Sequence, residues 1–322
     1  MLIGITMGDA CGLGPEIFLR SVTGNSLPHP YVLFGDLDVL EFAREKLNLN
    51  LAFHPVASVK GAKPERLNVF DCRGLRQSDI TIGKVSAKAG AAAVKYVQVA
   101  AKHALERKID AIVTLPINKA ASRHTFPNFQ GHTELIADMC GVSDYVLSLV
   151  APKLIVTHVS THVSLKEAVN LVNRERVLSV LQMTHSAAKK LFPGAKIAVA
   201  GLNPHAGEDG AFGNEEVEEI LPAIREAQRQ GIDAHGPIVP DTLFIKALAG
   251  EYDAVVCMYH DQGHIPMKLH GFHETVNVTL GLPIVRTSVD HGTGFDIAYK
   301  GIASIQNFMC AFDLAAKLAS SK

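Results

Sequence analysis

Short apolar runs alternate with longer stretches of helical period along most of this chain. The runs at 2–6, 31–34, 67–70, 110–115, 145–150, 153–158, 196–201, 253–258, 275–280 and 283–288 read as buried strands. Between them, 14–22, 36–47, 87–107, 131–140, 165–191, 213–230, 241–249 and 306–319 read as helices. The Ala-rich stretch 87–107 is the plainest helix, and Ser164-Leu165-Lys166-Glu167 is a capping box predicted to open the longest one. Such βα alternation predicts a largely parallel sheet covered by helices. Ligands then bind outside the carboxyl ends of the strands.

The stretch Asp253–Asp296 concentrates the chemistry. It delivers Tyr259, His260 and Asp261 from the end of one strand, then Lys268, His270 and His273, then Asn277 and Arg286 on two further strands, and closes on Asp290-His291-Gly292-Thr293-Gly294. His162 and His205 follow other strands in the same way as His260. Three neutral imidazoles with an open position suit a catalytic divalent metal, and three local hydrogen bonds are the alternative. His158 competes with His162, because the two share a face if the strand extends that far. Gly131-His132-Thr133-Glu134 stands at a helix start, where backbone N–H groups receive an anion or a cap. Lys119 follows a strand, and Lys268 and Arg286 suit phosphate and carboxylate. The glutamates at 215–219 read as a solvated helix face.

The totals narrow the class without naming it. The chain has 322 residues, 48% hydrophobic and 20% charged, with a net charge of −1. That describes one large or two medium globular domains with no general attraction to nucleic acid or a membrane surface. Cys11, Cys72, Cys140, Cys257 and Cys310 are odd in number and scattered, as for reduced thiols in the cytoplasm. No basic leader opens the sequence, and no apolar run reaches the roughly 20 residues that span a bilayer. The loop Gly8–Glu16 joins strand to helix but fails the GxGxxG spacing at its third glycine, and no Gly-Lys-Ser/Thr marks a P-loop. A Rossmann NAD domain is therefore disfavoured.

In order along the chain, Ile5-Thr6-Met7-Gly8-Asp9, Pro116-Ile117-Asn118-Lys119, Gly131-His132-Thr133-Glu134, Thr161-His162, Asn203-Pro204-His205-Ala206-Gly207-Glu208, Tyr259-His260-Asp261-Gln262-Gly263 and Arg286–Thr293 resemble the 4-hydroxythreonine-4-phosphate dehydrogenase family. The resemblance implies an isocitrate/isopropylmalate dehydrogenase-like α/β fold, with two α/β/α domains and the active site in the cleft between them. Residues 1–125 and 275–322 would form the NAD-side domain, and 126–274 the domain of metal and dimer contacts. It implies one divalent metal (Zn, Mg, Mn or Co) on His162, His205 and His260, drawn from both subunits of a homodimer. His132, Thr133, Lys268, Asn277 and Arg286 match substrate positions, and Asp290, His291, Gly292, Thr293 and Asp296 match an NAD-binding loop. Lys119, Asp241 and Asp261 are the candidates for moving the hydroxyl proton.

The implied reaction is NAD-dependent oxidation at C3 with decarboxylation of a 4-phosphorylated four-carbon 3-hydroxy acid. His158, usually apolar in the vitamin B6 branch, points to 4-phosphothreonate or 4-phosphoerythronate, giving dihydroxyacetone phosphate and CO2. 4-Hydroxythreonine 4-phosphate and pyridoxal phosphate synthesis form the alternative. A metallohydrolase with three histidine ligands and a non-catalytic phosphate-binding protein are the readings from other classes.

Overall fold

The computed structural model describes residues 1–24, 27–271 and 273–320. The chain divides into two compact units, Met1–Ser143 with Leu282–Lys322, and Asp144–Gly281. In the first unit the order is β1 (Ile3–Thr6), α1 (Gly14–Ser21), β2 (Tyr31–Gly35), α2 (Leu37–Lys46), β3 (Phe53–Val56), β4 (Leu67–Asp71), α3 (Ala87–Leu105), β5 (Ala111–Thr114), α4 (Lys119–Arg123) and α5 (His132–Cys140). The second unit runs β6 (Val146–Ala151), β7 (Leu154–His158), α6 (Leu165–Asn170), α7 (Arg174–Leu191), β8 (Ile197–Ala200), α8 (Leu221–Arg229), β9 (Ala234–Ile238), α9 (Pro240–Leu248), β10 (Ala254–Cys257), α10 (His260–Gly271) and β11 (Val276–Leu280). The chain then returns to the first unit with β12 (Val285–Ser288) and α11 (Gln306–Ser320).

The first unit's strands lie in the order β3-β4-β2-β1-β5-β12, all parallel. Every side chain of β1 and β5 is buried, as expected of parallel strands covered on both faces. Ile3, Ile5, Phe18, Phe34, Tyr96, Phe308 and Phe312 are among the fully buried side chains. The second unit has the order β11-β6-β7-β10-β8-β9. There β6 runs antiparallel to both β11 and β7, and β7, β10, β8 and β9 are parallel. Leu149, Leu154, Val156, Ala198, Leu243, Val255 and Met267 form its core.

The strands predicted from sequence are present, together with β3 and β9, which the apolar pattern did not mark. The helices depart more. The capping box does form, with Ser164 Oγ accepting from the Glu167 N–H at 3.2 Å. It opens a helix of only 6 residues, and a second helix starts on the Asn173 cap. The longest helix is α3, at 19 residues. α10, unmarked in the sequence because Gly263 and Pro266 interrupt it, carries His260 through Lys268. The unit boundaries fall at 143/144 and 281/282 rather than at 125/126 and 274/275. α5 packs against α3, so His132 and Thr133 lie in the first unit, while Asn277 lies in the second. No described helix is long and apolar enough to cross a membrane.

Candidate active site

In the first unit a cationic cradle forms on β5, β12 and α5. Arg286 is 3% exposed, and its guanidinium donates to Thr114 Oγ1 at 2.8 Å and Thr133 Oγ1 at 3.3 Å. Burial lowers its pKa to about 10, with Glu134 opposing, so it stays protonated near neutrality. His132 is held well below the usual histidine range, first by burial and then by the positive charges of Arg286 and Lys119. Its ring bonds the Leu115 backbone, and its buried Nε2 has no partner among the described residues. A neutral imidazole with a spare buried acceptor beside a buried guanidinium suits a partly protonated anion or a substrate hydroxyl. The Lys119 ammonium and the Glu134 carboxylate both approach Gly131, at the N-terminus of α5. That terminus adds its own preference for negative charge.

Also in this unit, the loop from Asp290 to Thr293 is held from both sides. The Asp290 N–H donates to Asn307 Oδ1 at 2.7 Å, and the Leu13 N–H donates to the Thr293 carbonyl at 2.9 Å. A Cβ on Gly12 would come within 2.7 Å of that same carbonyl oxygen. The glycine-rich N-terminal loop therefore serves as packing for the later loop. Gly292 has no atom within 4 Å of where a Cβ would stand, and Asp296 is exposed. This leaves the backbone at Gly292 open to solvent.

In the second unit the histidines gather at the ends of β7 and β10. The His162 and His260 rings have centroids 5.8 Å apart. His260 Nδ1 lies 2.7 Å from Asp261 Oδ1, so it carries the proton and leaves Nε2 as the ligand atom. A carboxylate holding one imidazole nitrogen is the usual support of a metal-bound histidine. His264 stacks on His260 at 3.6 Å and 12°, and it contacts His158. Burial first, then neighbouring imidazoles, lower the pKa of His158 to about 3 and of His264 to about 4. Lys268 is exposed two turns beyond His260, Asn277 lies on β11, and Asp241 is exposed in the first turn of α9.

His205 stands apart from this group, on a loop between β8 and α8, with Glu208 Oε1 at 3.9 Å and Phe212 as ring neighbour. Among the described residues no three histidine, cysteine or acidic side chains converge closely enough to hold a metal ion. One chain thus brings together two of the three predicted ligands. Donor chemistry and the support from Asp261 fit a divalent ion that takes its third ligand from elsewhere.

The backbone under His205 is unusual. His205, Ala206, Glu208 and Asp209 all have φ between 41° and 53°, and Gly207 has φ 80°. Glu216 pins this turn. Its Oε1 accepts from the Leu202 and Asn203 N–H groups at 2.7 Å each, and its Oε2 accepts from Asn203 Nδ2 at 2.9 Å. Glu216 is 2% exposed, which corrects the reading of 215–219 as a wholly solvated face. The π-type turn Glu216–Ile220 swings this one glutamate inward, and no sequence period announces it.

The first unit's cradle suits a small anion, and the second unit's histidines with Asp261 suit a metal-dependent α/β enzyme. Residues 26–315 match the family described as Pyridoxal phosphate biosynthetic protein PdxA, and the chain belongs to that family. It is 42% identical to the D-threonate 4-phosphate dehydrogenase of Salmonella typhimurium, over 98% of each chain. The crystal structure of a 4-hydroxythreonine-4-phosphate dehydrogenase from Klebsiella pneumoniae superposes with TM-score 0.90 at 39% identity, covering 99% of this chain and 98% of that one. A β-decarboxylating dehydrogenase from Thermococcus kodakarensis shares the fold, with TM-score 0.50 at 16% identity over 98% of this chain and 83% of that one. The expected α/β dehydrogenase fold class is therefore the observed one, and the chain is an oxidoreductase of dehydrogenase type.

Proposed function

We propose that this enzyme oxidises C3 of a 4-phosphorylated four-carbon hydroxy acid, D-threonate 4-phosphate or its erythronate isomer, with NAD as acceptor and a divalent metal at His162, His260 and a second protomer's His205. The relatives named D-threonate 4-phosphate dehydrogenase, aligned over nearly their full length at 42% identity, carry the choice of substrate. The neighbouring rings of His162 and His260, with Asp261 on Nδ1, support the metal. A cytoplasmic location suits such a metabolic enzyme.

In the reaction, the C3–H bond breaks with its electron pair passing to NAD, and the hydroxyl proton goes to a base. The product is a ketone β to the carboxylate. The C1–C2 bond then breaks, CO2 leaves, and protonation at C2 gives dihydroxyacetone phosphate. A bound divalent ion supplies Lewis-acid polarisation at the C3 oxygen. The chain's own residues bind and orient anionic groups: Arg286, Thr133 and His132 make one cradle, and Lys268 and Asn277 offer donors of their own. Asp261 is engaged with His260 and acts by orienting it, which leaves Asp241, or Lys119 in its neutral amine form, to accept the hydroxyl proton.

The homodimer draws support from exposed apolar side chains on the elements that carry the ligands. Leu165 beside His162 is 64% exposed, Phe212 beside the His205 loop 52%, and Leu269 on the helix of His260 84%. Burying such side chains against a second copy is favourable by about 25 cal/mol per Å², and it would carry ligands across with them.

The likeness to the Klebsiella 4-hydroxythreonine-4-phosphate dehydrogenase favours a second reading, oxidation of 4-hydroxythreonine 4-phosphate. NADH formation at 340 nm with all three compounds, at saturating NAD and metal, decides between the two. We expect the higher kcat/KM for the hydroxy acids. A higher value for the amino acid phosphate overturns the choice of substrate, and no NADH from any compound overturns the dehydrogenase assignment itself.

A further inference from the structure

His158 and His264 form a buried pair that the reaction above leaves without a task. His158 ends β7 and is 1% exposed, and His264 stands one turn into α10 and is 6% exposed. His264 Nδ1 lies 3.1 Å from His158 Nε2 and 3.1 Å from the His260 carbonyl oxygen. His158 Nδ1 lies 3.3 Å from the Leu147 carbonyl oxygen. A carbonyl only accepts, so each Nδ1 carries its ring's proton, and His158 Nε2 receives the hydrogen bond from His264. Neutral rings satisfy every one of these contacts, and both tautomers are fixed.

Packing holds the pair in place. A Cβ on Gly263 would overlap His158 Nε2, so only glycine lets α10 approach this closely. The face of His264 is covered by the parallel ring of His260. What remains is the lone pair on His264 Nε2, which the fixed tautomer prevents from becoming a donor. His260, His264 and Lys268 follow at intervals of four on one face of α10, so this acceptor stands between a metal-type ring and a phosphate-type ammonium.

We propose that His264, its tautomer set by the His260 carbonyl and its ring held by His158, accepts a hydrogen bond from the C2 hydroxyl of the substrate and thereby selects hydroxy acids over the amino acid phosphate. The inference rests on the function proposed above. An ammonium at C2 would set a further positive charge beside Lys268 and the metal, whereas a hydroxyl donates one hydrogen bond and adds no charge. His158 is a positioning residue, acting through His264 without touching the substrate. This moves the discriminating contact from His158, where the sequence suggested it, one ring outward.

The test uses the metal-loaded enzyme and its variants His264→Leu, His264→Gln and His158→Leu. The first readout is the ratio of kcat/KM for D-threonate 4-phosphate to that for 4-hydroxythreonine 4-phosphate. Losing one specific hydrogen bond, at about 1–3 kcal/mol, changes such a ratio by about tenfold to a hundredfold. We expect a fall of that size in His264→Leu with full metal content, and partial recovery in His264→Gln, which keeps an acceptor. The second readout is the 15N spectrum of the histidines without substrate. It should show Nδ1–H for His158 and His264 in the parent, and still for His264 in His158→Leu, where the His260 carbonyl accepts alone; Nε2–H for His264 in the parent overturns the proposal. A ratio unchanged within twofold in His264→Leu overturns the proposal, as does loss of metal from that variant. A parent enzyme that oxidises neither compound overturns the proposed function and this assignment with it. A parent that prefers the hydroxy acid while the ratio survives His264→Leu overturns only this assignment.

Discussion

Removing the carboxylate of Glu216 should release the turn that presents His205. Four non-glycine residues there occupy the left-handed region, at about 1–2 kcal/mol each, so the turn stores roughly 4–8 kcal/mol. Three hydrogen bonds to one buried carboxylate, at about 1.5–3 kcal/mol each, supply roughly 4–9 kcal/mol. The two sums are of the same size, so Glu216 is what keeps the turn wound. Glu216→Ala should let residues 202–212 open locally while the rest of the second unit holds. A loss of about 4 kcal/mol in local stability corresponds to roughly a thousandfold faster exchange of the protected amides. Those amides are Leu202, Asn203, Ala206, Ala211 and Phe212, all hydrogen-bonded within the loop or to Glu216. Hydrogen-exchange mass spectrometry on peptides covering 202–213 reads this directly. Glu216→Gln, which keeps one acceptor oxygen, should fall between the parent and Glu216→Ala. Unchanged protection of these peptides in Glu216→Ala would refute the reasoning.

Three other outcomes are expected. His162→Ala, His205→Ala and His260→Ala should each lose most of the bound metal by elemental analysis while keeping the parent circular dichroism; full metal content in His205→Ala would remove it from the ligand set. Arg286→Met should lower kcat/KM by a hundredfold or more while leaving stability equal or higher, since a buried charge is exchanged for an apolar side chain; urea unfolding and steady-state kinetics on one preparation check both halves. Burial raises the pKa of Asp9 from the usual 3.8 to about 6, against the opposing Cys11 and Asn118 backbone bonds. A raised folded-state value makes its contribution present below about pH 4 and lost as pH rises through 6, a difference of about 3 kcal/mol. Asp9→Asn keeps the acceptor for the Cys11 N–H without the charge, so it should gain stability over the parent between pH 4 and 8; parallel profiles would exclude this.

Much of the fold was legible because parallel strands buried on both faces leave continuous apolar runs, as in Ala111–Thr114 and Ala254–Cys257. β3 and β9 escaped because Pro55, Gly236 and Pro237 interrupt their pattern. α10 escaped for a related reason: Gly263 and Pro266 are poor helix formers, and the tertiary contact with His158 requires the first of them. Arg286, His132 and Thr133 were legible by type and position, and they do meet. Glu216 and His264 were not. The first is one glutamate among several, and the second lies in a helix that the sequence hides. The role of each depends on which side of a turn faces inward.

The return of the chain to the first unit has a consequence in time. β5 lies between β1 and β12, and β12 is translated only after the whole of Asp144–Gly281. At roughly 5–20 residues per second, that interval lasts on the order of 10–30 s. Throughout it the first unit offers an open apolar strand edge, the kind of surface that pairs with stray chains. Arg286 arrives on the strand that closes this edge, so the nascent enzyme stays without its buried cation until the moment its most vulnerable edge is covered.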